Sequence, residues 1–161
     1  MCIRDSFLMP ELKTTSLHDF HLSKNSKMID FSGWSMPFSY DGTLKEHNYV
    51  RNSAGYFDVS HMGRLRLDYS QIDEINYLIC SDLKNIDNTK ALYSIFTSET
   101  GSAIDDVIFW KFDDELILIC NASNTLKMKK HLDSYSIKYD DLTQHTDCLL
   151  YTSDAADDET S

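Results

Sequence analysis

Two stretches of this 161-residue chain hold side chains whose types and spacing could do chemistry. The first is Ile104-Asp105-Asp106-Val107-Ile108-Phe109-Trp110. Strand alternation puts Ile104, Asp106, Ile108 and Trp110 on one face and Asp105, Val107 and Phe109 on the other. A carboxylate in line with an aliphatic and a large aromatic suits a flat heterocycle rich in N–H groups. Burying that carboxylate is costly unless it meets a donor. The plainer reading is a strand-end Asp bonded to backbone N–H groups after a turn, with Asp105 serving structure alone. The second stretch, Phe57-Asp58-Val59-Ser60-His61-Met62-Gly63, places Asp, Ser and His within four residues. Triad members converge from distant chain positions and no nucleophile elbow surrounds Ser60, so Asp58 or Ser60 reads better as a turn former.

Other polar groups carry weaker signals. Asn121 ends an apolar run, where its amide caps the next turn or bonds a ligand. His47 and His131 fall on the apolar faces of predicted helices and read as core or rim histidines. Lys127, Lys129 and Lys130 form a solvated helix face. Cys80 and Cys120 lie in apolar runs, where a free thiol behaves as a small hydrophobe. No CxxC or Cys/His ligand spacing exists, which predicts a reduced, cytoplasmic chain without a metal site.

The elements that must position these groups follow from periodicity. Residues 12–31 hold only a weak helical pattern at Leu17, Phe20 and His21, and Gly33-Trp34-Ser35-Met36-Pro37 reads as a loop. Residues 43–54 read as a helix stopped by Gly55. From Gly63 the period becomes two, with Leu65, Leu67 and Tyr69 alternating with polar residues. Ser70 is expected to cap a helix carrying Ile72, Ile75 and Leu78. A meander follows over Leu92–Thr97, Ala103–Phe112 and Leu116–Asn121, with turns suited to antiparallel hairpins. Ser123 or Asn124 then caps a helix with Met128, His131, Leu132 and Tyr135 on one face, and residues 136–147 stay ambiguous. The predicted fold is α+β, a mainly antiparallel sheet with helices on one face.

Composition excludes several classes. Hydrophobic residues make up 42% and charged residues 25%, a globular mix. The longest uninterrupted aliphatic run, Leu116 to Cys120, is too short to span a membrane. A net charge of −11 without a cluster of Lys or Arg makes nucleic acid a poor partner. The ends change character. Residues 1–6 (Met1-Cys2-Ile3-Arg4-Asp5-Ser6) and 148–161, an apolar clip followed by small and acidic residues, read as translated sequencing adapter. Residues 7–147 then form the native segment, and without the four acids after Cys148 the charge is −7.

In order and spacing, several stretches resemble one family. They are Lys27 to Pro37, Glu46-His47, Val50-Arg51 before Ala54-Gly55, Phe57 to Gly63, Ala91-Leu92-Tyr93-Ser94, Gly101 to Ile108, and Asn121-Ala122-Ser123-Asn124. From about Leu12 to Asp141 the chain resembles the aminomethyltransferase (T protein) family of the glycine cleavage system. Thr15-Ser16 stands where that family usually has Thr-Pro, and Trp110 where it generally has Tyr. The resemblance implies a truncated, N-terminal part of a folate-binding domain. It implies transfer of a methylene carbon to tetrahydrofolate from an aminomethyl group on the lipoyl arm of the H protein, with release of ammonia. On this resemblance Asp106 is the catalytic carboxylate, and Met62, Tyr93, Asp106, Ile108, Trp110 and Asn121 are folate contacts. The fragment is expected to be inactive alone. The alternatives are another folate-dependent one-carbon enzyme, of the sarcosine or dimethylglycine type, and a non-catalytic folate-binding protein of iron–sulfur maintenance.

Overall fold

The structure, a computed structural model, describes residues 11–153. Residues 1–6 and those after 153 lie outside that range. The described chain divides into two compact units, one comprising residues 11–55 and 152–153 and the other Tyr56–Tyr151.

In the first unit, β1 (Lys13–Thr14), α1 (His18–Ser23), β2 (Lys27–Phe31) and β3 (Trp34–Ser39) come in sequence, and the strands form a sheet of order β1-β3-β2. The expected loop at Gly33–Pro37 is therefore a hairpin strand. Phe31 pairs with Trp34, and the two residues between them, Ser32 and Gly33, both take positive φ (54° and 82°). That is the condition for a tight hairpin turn whose twist matches the strands. Pro37 is tolerated because β1 reaches only Trp34 and Ser35, and the β2–β3 ladder slips beside Met28, its partner. The next helix, α2 (Thr43–Asn52), starts on Glu46, whose Oε1 accepts the N–H groups of Tyr40, Asp41 and Gly42 at 2.7–2.9 Å. No residue of α2 is buried, so His47 is exposed and not on an apolar, packed face. After α2 the chain runs on into β4 (Ala54–Asp58), and Gly55 sits inside this strand rather than ending the helix.

The second unit carries a five-stranded antiparallel sheet. Its strands are β5 (Gly63–Asp68), β6 (Ala91–Thr97), β7 (Ala103–Phe112), β8 (Glu115–Cys120) and β9 (Tyr139–Asp141), in the order β6-β7-β8-β5-β9. Two helices interrupt them, α3 (Ile72–Tyr77) and α4 (Thr125–Ser134). Ahead of α3 a 3-10 turn is capped by Asp68, whose Oδ1 accepts from the Ser70 N–H at 2.8 Å. The cap is thus Asp68 and not Ser70.

Period two in the strands and 3.6 in the helices meet in one core. Leu65, Leu67, Phe96, Val107, Phe109, Leu116, Leu118 and Cys120 project from one sheet face onto Ile75 and Leu78 of the α3 region and Met128 and Leu132 of α4. Both helices therefore cover the same face, as the α+β reading expects. Each fully buried large side chain in this layer contributes about 1.5–3 kcal/mol. Contact is tight where α4 begins. A Cβ on Gly63 would stand 2.5 Å from Thr125 Oγ1 and 2.6 Å from Cys120 Sγ. His131 of α4 stands edge-on to Phe96 and Tyr135, at 5.9 and 5.3 Å between centroids, so it is a core-rim residue. Burial, helped by Lys127, holds its pKa below the ordinary 6.5.

The last described strand, β10 (Leu149–Ser153), pairs with β4. Residues 149–153 thus form a strand, in which Leu149 and Leu150 are exposed.

Candidate functional site

The site is assembled by strand register at one end of the second unit's sheet. Gly63 and Val107 both pair with Cys120, so the three form one row across β5, β8 and β7. One residue beyond that row on each chain come Met62, Asn121 and Asp106. Side chains of the row face the core, and the next step faces the opposite side. On that opposite face Ile108 pairs with Tyr93 and with Ile119, and Trp110 with Ala91 and Ile117. Burial follows the predicted alternation: Asp105, Val107 and Phe109 are buried, whereas Asp106, Ile108 and Trp110 are exposed. The Trp110 ring rests against Phe112, 4.6 Å between centroids and tilted by 42°.

Asp106 is held from two directions. Tyr93 donates its hydroxyl to Oδ2 at 3.3 Å, and Asn121 donates from Nδ2 to Oδ1 at 2.9 Å. Partial desolvation and the adjacent carboxylate raise the Tyr93 phenol above its usual 10, so it remains a proton donor at neutral pH. An ionised carboxylate has about four acceptor positions, so two remain for further donors. Asn121 makes no side-chain cap bond at the 3-10 turn it precedes, against the capping alternative. Its amide is spent on the two aspartates.

Asp105 is where the plainer reading of this strand is realised, and more. It is only 5% exposed. Its carboxylate accepts from the Asn121 N–H at 3.1 Å, from Asn121 Nδ2 at 2.9 Å and from Asn124 Nδ2 at 2.7 Å. The core-facing position of an acid signals that it needs donors, but which donors the following loop supplies is not written in the alternation.

The Phe57–Gly63 stretch is a structural corner. Asp58 Oδ1 accepts the Ser60 N–H at 2.9 Å, an Asx turn. The Ser60 hydroxyl accepts from the Cys148 N–H at 3.0 Å and donates to the Cys148 carbonyl at 3.3 Å, so it is engaged with backbone and not with a base. Arg64, 4% exposed, is bound by carbonyls instead of a carboxylate. It donates to the carbonyls of Ser60 and Met62 at 3.0 and 2.8 Å, to those of Thr143 and Thr146, and to Thr146 Oγ1 at 2.9 Å. Burial pulls its pKa down, with neighbouring Cys148 and acids opposing that fall. Met62, through its carbonyl, is part of this corner.

Two further features lie away from Asp106. A cleft of about 600 Å³ opens at the other end of the sheet, lined by Arg66, Asp68, Gln71, Lys138 and Asp140 among others, and contains none of the expected site residues. Among the described residues no three His, Cys, Asp or Glu side chains converge to hold a metal ion.

Comparison with known proteins places this geometry in a context. Residues 17–151 match the GCVT N-terminal domain family. An aminomethyltransferase of Desulforamulus reducens is 39% identical over 121 residues, 74% of this chain and 33% of that protein. The crystal structure of glycine cleavage system aminomethyltransferase T from Bartonella henselae superposes with a TM-score of 0.77 at 26% identity, over 90% of this chain and 42% of that one. The chain thus spans about a third of the length of the curated relative it matches.

Proposed function

The chain belongs to the GCVT N-terminal domain family, and from that premise we propose that it supplies the folate-binding face of an aminomethyltransferase of the glycine cleavage system. The acceptor in this reading is tetrahydrofolate. The donor is the aminomethyl group on the lipoyl arm of the H protein, and ammonia leaves. One observation carries the proposal: an exposed carboxylate, Asp106, pinned by Tyr93 and Asn121 at the end of an apolar platform of Ile108 and Trp110.

Each residue has a task in this scheme. Trp110, steadied by Phe112, offers a ring face on which a flat pterin stacks, and Ile108 extends the apolar contact. Met62 and Asn121 border the same end of the ladder. With two acceptor positions left, Asp106 accepts N–H from the attacking amine, orients it, and stabilises the positive charge that develops on it. The carbon chemistry belongs to the two substrates, and the protein orients them. We place the reaction in the cytoplasm, where the free thiols Cys80 and Cys120 stay reduced. Because the chain spans a third of its relative, turnover is assigned to the longer parent protein. The 161-residue chain alone should hold folate weakly, since water competes for every polar contact on an open face.

The test is single-turnover formation of methylenetetrahydrofolate by the complete parent, with H protein bearing the aminomethyl group. Asp106→Asn keeps size and loses charge, and should slow transfer by about 10²–10⁴-fold in a folded protein. A wild-type parent that moves no carbon to tetrahydrofolate from that donor overturns the proposal.

A further inference from the structure

Asp105 and Asp106 point to opposite faces of β7, yet one side chain touches both. Asn121 Nδ2 lies 2.9 Å from Asp105 Oδ1, 2.9 Å from Asp106 Oδ1 and 3.2 Å from the Asp106 carbonyl. All three neighbours are acceptors, so the amide has one permitted orientation, with its NH₂ toward the strand. Asp105 fixes that orientation twice over, because its other oxygen takes the Asn121 backbone N–H. Asn124 closes the arrangement from the first turn beyond β8.

We infer that Asp105 is a positioning residue for the reaction proposed above: from the core side it anchors Asn121, and through Asn121 it sets the direction of the Asp106 carboxylate. The inference rests on that functional reading for its consequence, but the hydrogen-bond relay is a property of this chain and can be tested without it. An acid at position 105 matters because both of its carboxylate oxygens serve as acceptors here. Asp105→Asn has nearly the same shape but puts an NH₂ where one oxygen had accepted, against at least one of the three donors, so at least one contact with Asn121 or Asn124 must be lost.

The first measurement uses the 161-residue chain. A through-hydrogen-bond coupling from Asn121 Nδ2 to Asp105 Cγ needs no variant, and its absence in a folded chain overturns the relay. The Asn121 side-chain protons should exchange at least about tenfold more slowly than those of exposed Asn48, and Asp105→Asn should erase most of that difference. Unchanged protection in a folded Asp105→Asn chain also overturns it. The second measurement is a double-mutant cycle on single-turnover transfer in the parent protein. Asp105→Asn should lower the rate by about 10–100-fold, as expected when a reacting group is mispositioned. In an Asn121→Ala background the same change should cost less than about twofold, because the path it acts through is gone. Equal costs in both backgrounds would mean a merely structural Asp105. A wild-type parent inactive in transfer removes the functional proposal, and the coupling and exchange data then decide the relay alone.

Discussion

The two faces of the second unit's sheet carry similar side chains and meet different surroundings. On one face Leu65, Leu67, Phe96, Val107, Phe109, Leu116 and Leu118 are sealed beneath α3 and α4. On the other Ile108, Trp110 and Phe112 remain about 40% exposed, and Tyr93 reaches 60%. The first face explains why the domain folds. The second lies outside that core, and at one end of it stands Asp106. Large apolar groups left outside a core mark a surface meant to contact something else. A single strand, β7, serves both faces by alternation, which lets one ten-residue segment anchor the fold and present the carboxylate.

Substitutions can break or sharpen this contrast. The largest effect on folding should come from the sealed face: Phe109→Ala should cost about 3–5 kcal/mol in denaturant unfolding. Arg64 tests a covered part of the open side, since residues 143–146 close over its guanidinium. Arg64→Met leaves several carbonyls without donors and should cost about 2–3 kcal/mol. Cleavage between 142 and 148 in limited proteolysis should appear with it. Gly63→Ala overfills the junction of sheet and α4 and should cost about 1–3 kcal/mol, read by thermal melting.

Acid should probe the sealed side more gently. Burial keeps His131 neutral, so the unfolded chain takes up its proton first. Stability that is complete above pH 6.5 therefore declines as pH falls through the lowered folded value. Replacing His131 by Phe should flatten that slope in unfolding curves followed downward from pH 7. Asp141 acts lower. Burial works against its ionised form, but Lys129 and Thr143 outweigh that and bring it to about 2. Its contribution is held above pH 4 and lost as pH falls toward 2. Smallest of all should be Trp110→Ala on the open face, within about 0.5 kcal/mol in stability. A loss as large as that of Phe109→Ala would mean that the open face also belongs to the core.

The sequence made one of these faces easy to read. From Asp105 to Trp110 buried and exposed residues alternate without a break, so both the strand and the split between Asp105 and Asp106 are legible. Elsewhere local signals misled. Pro37 suggested a loop, because the slip in the ladder that accommodates it is a property of the partner strand. Gly55 looked like a helix stop and is a strand residue, since β10 is more than ninety residues away in sequence and invisible to local pattern. His47 has helical spacing, but α2 buries nothing. The part of Asp105 that matters lies in the loop after β8, where Asn121 and Asn124 return to it. Periodicity gives a side chain its direction. It does not say what will be waiting there.

The outer border of β6 has a consequence for behaviour in concentrated solution. Thr97 donates its N–H to the Leu78 carbonyl, the Ile95 carbonyl accepts from the Cys80 N–H, and the Tyr93 carbonyl accepts from the Ser81 hydroxyl at 3.3 Å. Residues 78–81 thus occupy hydrogen-bonding groups that a bare edge strand would offer to another molecule. Edge-to-edge growth into fibrils, the usual hazard of such a strand, is blocked along this border. Self-association by strand addition at this border is thereby disfavoured.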